Sequence, residues 1–186
     1  DYKDFIVAFL EGLHIGRCAL AGHSFGGRVA IMLAAMQPKL FNDLILISAA
    51  GIKHGAGGRQ RVAGFFARMG KRVISLRLLN KLEKPARSLF YRLIRRKDYL
   101  LAKGVMKETM KKVITQDLRP YLKQIHLPTL IVWGDKDTMT PLQDAYIISE
   151  EIEGSTLRII KGGTHYLPRK NVPLLAEYIR TFLASL

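Results

Sequence analysis

The 186-residue chain holds a single cysteine, Cys18, so it can form no intrachain disulfide and cannot build a thiolate metal cluster. Long apolar runs are also missing. The best of them, such as Leu44 to Ser48, falls far below the ~18 residues that a membrane span needs. No positively charged leader precedes an apolar stretch, since Asp1 and Asp4 stand where one would begin, so a cytoplasmic protein is expected. The chain starts without Met and is expected to be a piece of a longer product. What is present is globular: 48% apolar and 24% charged residues exclude a disordered tail, a collagen or a low-complexity linker.

Acidic residues are scarce, 15 against 30 Lys and Arg, for a formal charge of +15. The excess is local. Between Ile52 and His126 there are twenty basic residues and four acids, whereas the remainder carries ten and eleven. A nearly neutral body is therefore interrupted by a basic insert, giving expected domains 1–51 with 127–186 and an insertion 52–126. Such an insert suits an anionic membrane surface, an acidic substrate or a solvated helix face. It lacks a nucleic-acid motif, and its aromatics fall on apolar helical faces, so nucleic acid is not the expected partner.

Outside the insert, strands and helices alternate. Phe5 to Leu13 reads as a helix with Phe5, Ala8 and Phe9 on one face. Arg17 to Ala21 reads as a buried strand, Gly26 to Met36 as an apolar helix and Leu44 to Ser48 as a second strand. Within the insert, Val62, Phe65, Phe66, Met69, Val73 and Leu76 recur at helical spacing. Two further helices are expected there, around Leu89 to Ile94 and Met106 to Val113. Thr129 to Trp133 and Thr156 to Ile160 return to strand, with helices after Pro141 and from Val172 to Leu183. The order predicts an α/β fold, a parallel sheet flanked by helices.

Chemistry is concentrated at Gly22-His23-Ser24-Phe25-Gly26, a G-x-S-x-G between a strand and an apolar helix. The turn is expected to be tight enough that Gly22 and Gly26 must lack a Cβ, lifting the Ser24 hydroxyl clear of the sheet. It also aims the Phe25 amide, at a helix N-terminus, where an oxyanion would form. A serine needs a base, and the base an orienting carboxylate. Candidates follow in later post-strand loops: Gly134-Asp135-Lys136-Asp137, then Gly162-Gly163-Thr164-His165. His23 is expected to pack into the elbow rather than act as a base. His14, His54 and His126 show no metal-ligand spacing. Cys18, mid-strand, reads as a small buried hydrophobe.

Together with Leu44-Ile45-Leu46-Ile47-Ser48 and Pro128 to Asp137, these segments make the chain resemble the C-terminal part of an α/β-hydrolase with a helical cap. The resemblance spans nearly everything outside the insert. It implies Ser24 as nucleophile, Asp137 as acid with Asp135 as the alternative, His165 as base and Phe25 as an oxyanion-hole donor. It places the insert as the cap over the site. The implied reaction is acyl transfer from a small-molecule substrate to water, with carboxylic esters the default, related C–C bonds a subclass, and no cofactor or metal. The alternative is a non-enzymatic basic module that binds anionic lipid or nucleic acid through the cap.

The family places further strands, and a second oxyanion donor, ahead of the nucleophile. Only about twenty residues precede Ser24 here. A partial fold with an open strand edge at Cys18 to Ala21, self-association and weak or absent activity are therefore expected of the isolated chain.

Overall fold

The computed structural model describes residues 2–54 and 116–186. The chain divides into two compact units, one of residues 1–52 and 117–186 and another of residues 53–116. The helices expected inside the insert lie outside the described residues.

The first unit is built from α1 (Tyr2–Gly12), β1 (Cys18–His23), α2 (Phe25–Met36), β2 (Phe41–Ile47), α3 (Arg119–Leu122), β3 (Thr129–Gly134), α4 (Leu142–Glu151), β4 (Thr156–Ile160), α5 (Leu167–Lys170) and α6 (Val172–Ala184). A 3₁₀ turn, Pro38–Leu40, leads into β2. All four strands are parallel, in the order β1-β2-β3-β4, with Ala21 opposite Ile45, Ile45 opposite Leu130 and Ile131 opposite Leu157. Every connection must cross back over a face of the sheet, so all four strands end at the same edge. Loops at that edge are where open α/β sheets place their ligands.

At its centre the sheet buries both faces, which is why residues 44–47 of β2 and 130–133 of β3 are continuous apolar runs rather than alternating ones. Leu44, Leu46, Ile131 and Trp133 face one cluster with Ile31 and Leu33 of α2 and Ile148 of α4. Ile45, Ile47, Leu130, Val132 and Ile160 face a second cluster with Leu167, Leu175 and Phe182. The unit thus has three layers.

Two expectations are corrected. The sheet-bearing unit resumes at Asp117, so residues 117–126 do not belong to the insert. Leu118, Leu122 and Ile125 are buried in the same cluster as the strands, and the Leu118 amide donates to the Gly51 carbonyl at 2.9 Å. Helix α1 also turns a different face inward. Leu10 is buried with Ile6 and Val7 packed beside it, while Phe5 and Phe9 stand exposed and stack on one another at 6.5 Å. Two apolar stripes compete on this helix, and only the one that meets α2 is covered. Strand β1 lies at an edge of the sheet: β2 is its one partner among the described strands, and Ala19 and Ala21 are exposed.

Candidate active site

Three loops at the C-terminal edge of the sheet carry the candidate residues. The first is the turn from β1 into α2. Ser24 sits there at φ 53° and ψ −115°, a left-handed conformation that a non-glycine residue adopts at a cost of about 1–3 kcal/mol. Its conformation is over-determined by the frame: the Ser24 amide donates to Ile47 of β2 at 3.1 Å, and its carbonyl accepts from Ala50 at 2.9 Å. Ser48, closing the neighbouring strand, is also left-handed at φ 43°.

Close approach of β1 and α2 explains the glycine at 22. A Cβ there would lie 2.5 Å from the Gly26 carbonyl oxygen and 2.8 Å from the Gly27 Cα. The steric expectation for Gly26 is wrong. A Cβ at Gly26 meets no heavy atom of the described residues within 4 Å. The second tight position is Gly27, whose Cβ would come within 2.5 Å of the Ala49 Cβ. A G-x-S-x-G pattern does not mark that neighbour as special, although the Gly26-Gly27 pair opening an otherwise apolar helix is a visible signal.

The second loop follows β3 and the third follows β4. They are held together by backbone contact: a Cβ on Gly134 would strike the Gly163 backbone, and the Lys136 amide donates to the Gly163 carbonyl at 2.8 Å. Asp135 takes part in this clasp. Its Oδ1 accepts the Gly162 amide at 2.7 Å, across a glycine at φ 71°. Asp135 has its hydrogen bond in the loop clasp, and Asp137 is the carboxylate bonded to His165.

His165 Nδ1 lies 2.8 Å from Asp137 Oδ2, and His165 Nε2 lies 2.9 Å from Ser24 Oγ. A carboxylate can only accept, so Nδ1 carries the proton and donates to Asp137, leaving Nε2 to accept the Ser24 hydroxyl. Both partners of the inner pair are buried. Burial alone pushes the Asp137 carboxyl up, but hydrogen bonds from His165 and from the Thr140 and Met139 amides outweigh it. The net effect holds Asp137 below the ordinary carboxylate value.

His23 packs its ring against that of His165, centroids 4.9 Å apart, and donates from Nε2 to the His165 carbonyl at 2.8 Å. It ties the elbow to the histidine loop without occupying the base position. Phe25 opens α2, so its amide is among the first-turn donors that have no intrahelical acceptor. Its half-exposed ring takes an edge-on contact from Tyr2 at 5.3 Å. Among the described residues, no cluster of His, Cys, Asp or Glu is arranged to hold a metal ion, and no helix is long and apolar enough to cross a membrane.

Comparison with known proteins agrees with this architecture. Residues 1–168 match the family described as alpha/beta hydrolase fold, and the chain belongs to that family. It is similar to the dihydrolipoyllysine-residue acetyltransferase component of an acetoin cleaving system from Pseudomonas putida, 29% identical over 78% of this chain and 40% of that protein. It is also similar to 3-oxoadipate enol-lactonase 2 of Acinetobacter baylyi, 25% identical over 84% of this chain and 60% of the relative. The chain thus spans about half the length of these curated relatives. A solved hydrolase structure from Pseudomonas aeruginosa shares the fold with a TM-score of 0.67 at 21% identity, covering 97% of this chain and 70% of that one.

Proposed function

We propose that the protein is a serine hydrolase that cleaves a carboxylic ester, or a related acyl bond, by a Ser24–His165–Asp137 triad. The observation that carries this reading is the unbroken hydrogen-bonded row from Ser24 Oγ through both imidazole nitrogens to Asp137 Oδ2. Ser24 Oγ attacks the carbonyl carbon as its proton passes to His165 Nε2. Asp137 accepts from the Nδ1–H of the imidazolium, and the Phe25 amide meets the developing oxyanion. Collapse of the tetrahedral intermediate expels the alcohol, which leaves with the proton from Nε2. A water then attacks the acyl carbon and gives its proton to Nε2, and Ser24 departs reprotonated with release of the acid.

The name of the enol-lactonase relative supports an ester substrate, since a lactone is a cyclic ester. C–C cleavage stays a subclass of the same acyl chemistry, and a further relative is by name a 2-hydroxymuconate semialdehyde hydrolase. The test is labelling with a fluorophosphonate, whose phosphorus is captured by an activated serine with loss of fluoride. In a chain that carries the strands the family places ahead of the nucleophile, wild type should label at Ser24, and Ser24→Ala and His165→Ala should not. Equal labelling of Ser24→Ala would refute the assignment.

A further inference from the structure

Asp137 is held by more than its histidine. Its Oδ1 accepts the Met139 and Thr140 amides at 2.8 and 2.9 Å, and its Oδ2 accepts from His165 at 2.8 Å and lies 2.9 Å from Thr140 Oγ1. The Thr140 hydroxyl has one proton and two acceptors within reach, Asp137 Oδ2 and the Ser48 carbonyl at 3.3 Å. The carboxylate is both nearer and charged, so it takes the proton. Each oxygen of Asp137 then accepts two hydrogen bonds, which leaves the carboxylate one orientation.

The same hydroxyl oxygen lies 3.2 Å from His165 Nδ1. The Nδ1–H therefore faces two acceptors, Asp137 Oδ2 in front and Thr140 Oγ1 beside it. Two acceptors fix the plane of the ring as well as its direction. Thr140 is itself anchored, because the indole N–H of fully buried Trp133 donates to its carbonyl at 3.0 Å. The Trp133 side chain thus ties the acid loop to β3, and the Thr140 hydroxyl meets both members of the inner hydrogen bond.

We infer that Thr140 is a positioning residue of the site: its hydroxyl aligns the Asp137 carboxylate and, through it, the His165 ring on Ser24. The inference rests on the reading of Ser24 as the nucleophile. A valine has the same shape but neither donates nor accepts, so Oδ2 keeps a single donor and the ring a single acceptor. In the same chain carrying the upstream strands, Thr140→Val should slow fluorophosphonate labelling about 10- to 100-fold, the range expected for losing a hydrogen bond to a charged group. With p-nitrophenyl butyrate as probe, the loss should fall on kcat and leave KM within about twofold, because Thr140 acts on the base rather than on bound substrate.

Thr140→Ser restores the hydroxyl and should return labelling to within about threefold of wild type. The downfield proton resonance of His165 Nδ1–H, which needs no turnover, should be kept in Thr140→Ser and shifted or broadened in Thr140→Val. Labelling of Thr140→Val at the wild-type rate, or a Thr140→Ser variant as slow as Thr140→Val, overturns the proposal. If wild type does not label, the hydrolase reading fails; the Nδ1–H resonance then decides the positioning role alone, and an unchanged resonance in Thr140→Val overturns it.

Discussion

Gly22 and Gly26 flank the same serine, yet the packing around them predicts opposite outcomes for one methyl group. In Gly22→Ala, the new Cβ starts 2.5 Å from the Gly26 carbonyl oxygen, 2.7 Å from its carbon and 2.8 Å from the Gly27 Cα, where real Cβ atoms essentially never come closer than 3.0 Å. All three neighbours are backbone, so no side-chain rotation relieves the clash, and β1 and α2 must part by roughly half an ångström. Overpacking costs about 1–3 kcal/mol where side chains can adjust, so a backbone clash should reach about 3 kcal/mol. For a chain of this size that lowers Tm by about 6–12 °C. Ser24 lies between the two displaced elements, and a 1 Å misplacement costs about 10²-fold in rate. Labelling of Gly22→Ala should accordingly fall by about tenfold or more. In Gly26→Ala the methyl enters open space among the described residues, in the first turn of a helix, at a position without positive φ. Alanine is favoured over glycine there by about 0.5–1 kcal/mol, so Tm should rise by about 1–4 °C. Differential scanning calorimetry and fluorophosphonate labelling of both variants, with Gly27→Ala expected to follow Gly22→Ala, check the argument. A Gly22→Ala variant that melts and labels like wild type, or a Gly26→Ala variant that loses as much as Gly22→Ala, would refute it.

The two aspartates of the β3 loop should separate cleanly in the labelling assay. Asp135→Asn keeps an oxygen for the Gly162 amide and should label within about threefold of wild type. Asp137→Asn presents an amide to Nδ1, favours the wrong tautomer and should lose about 10³–10⁴-fold. Because Asp137 is held below the ordinary value near ~3.9, its stabilising contribution is fully present above that pH and is lost as pH falls through its lower folded value. Acid melts should therefore show wild type losing stability more steeply below about pH 4 than Asp137→Asn, and parallel curves would contradict this. The exposed edge at β1 predicts concentration-dependent self-association in sedimentation velocity, and a concentration-independent monomer would count against it. The basic residues concentrated between 52 and 126 predict cosedimentation with phosphatidylserine vesicles that is abolished by high salt. Absence of binding at low salt would return that charge to a solvated helix face.

Much of this was readable before folding, because some instructions are contiguous. Gly22 to Gly26 must be a strand-to-helix turn, since only a short apolar run on one side and a long one on the other let both neighbours be buried. The runs Leu44–Ile47 and Leu130–Trp133 announce strands covered on both faces for the same reason. The parallel sheet follows from their alternation with helices. What could not be read depends on which atoms meet across space. Gly26 and Gly27 are identical in the sequence, and only the position of Ala49 makes the second one indispensable. Phe5 and Ile6 have equal claims to a core, and the placement of α2 decides that Ile6 is the one covered. Residues 117–126 still carry Arg119 and Lys123, and only the burial of Leu118, Leu122 and Ile125 against the sheet assigns them to the body. Thr140 is one of two threonines that closely follow Asp137, the other being Thr138, although its place three residues after an acid suits a side-chain-capped turn. Its hydroxyl acquires meaning only when β2, β3 and the loop carrying His165, drawn from positions 48, 133 and 165, close around it. Apolar runs, periodicity and turn residues are written along the chain. Hydrogen bonds between residues a hundred positions apart exist only once the sheet has brought them within three ångströms.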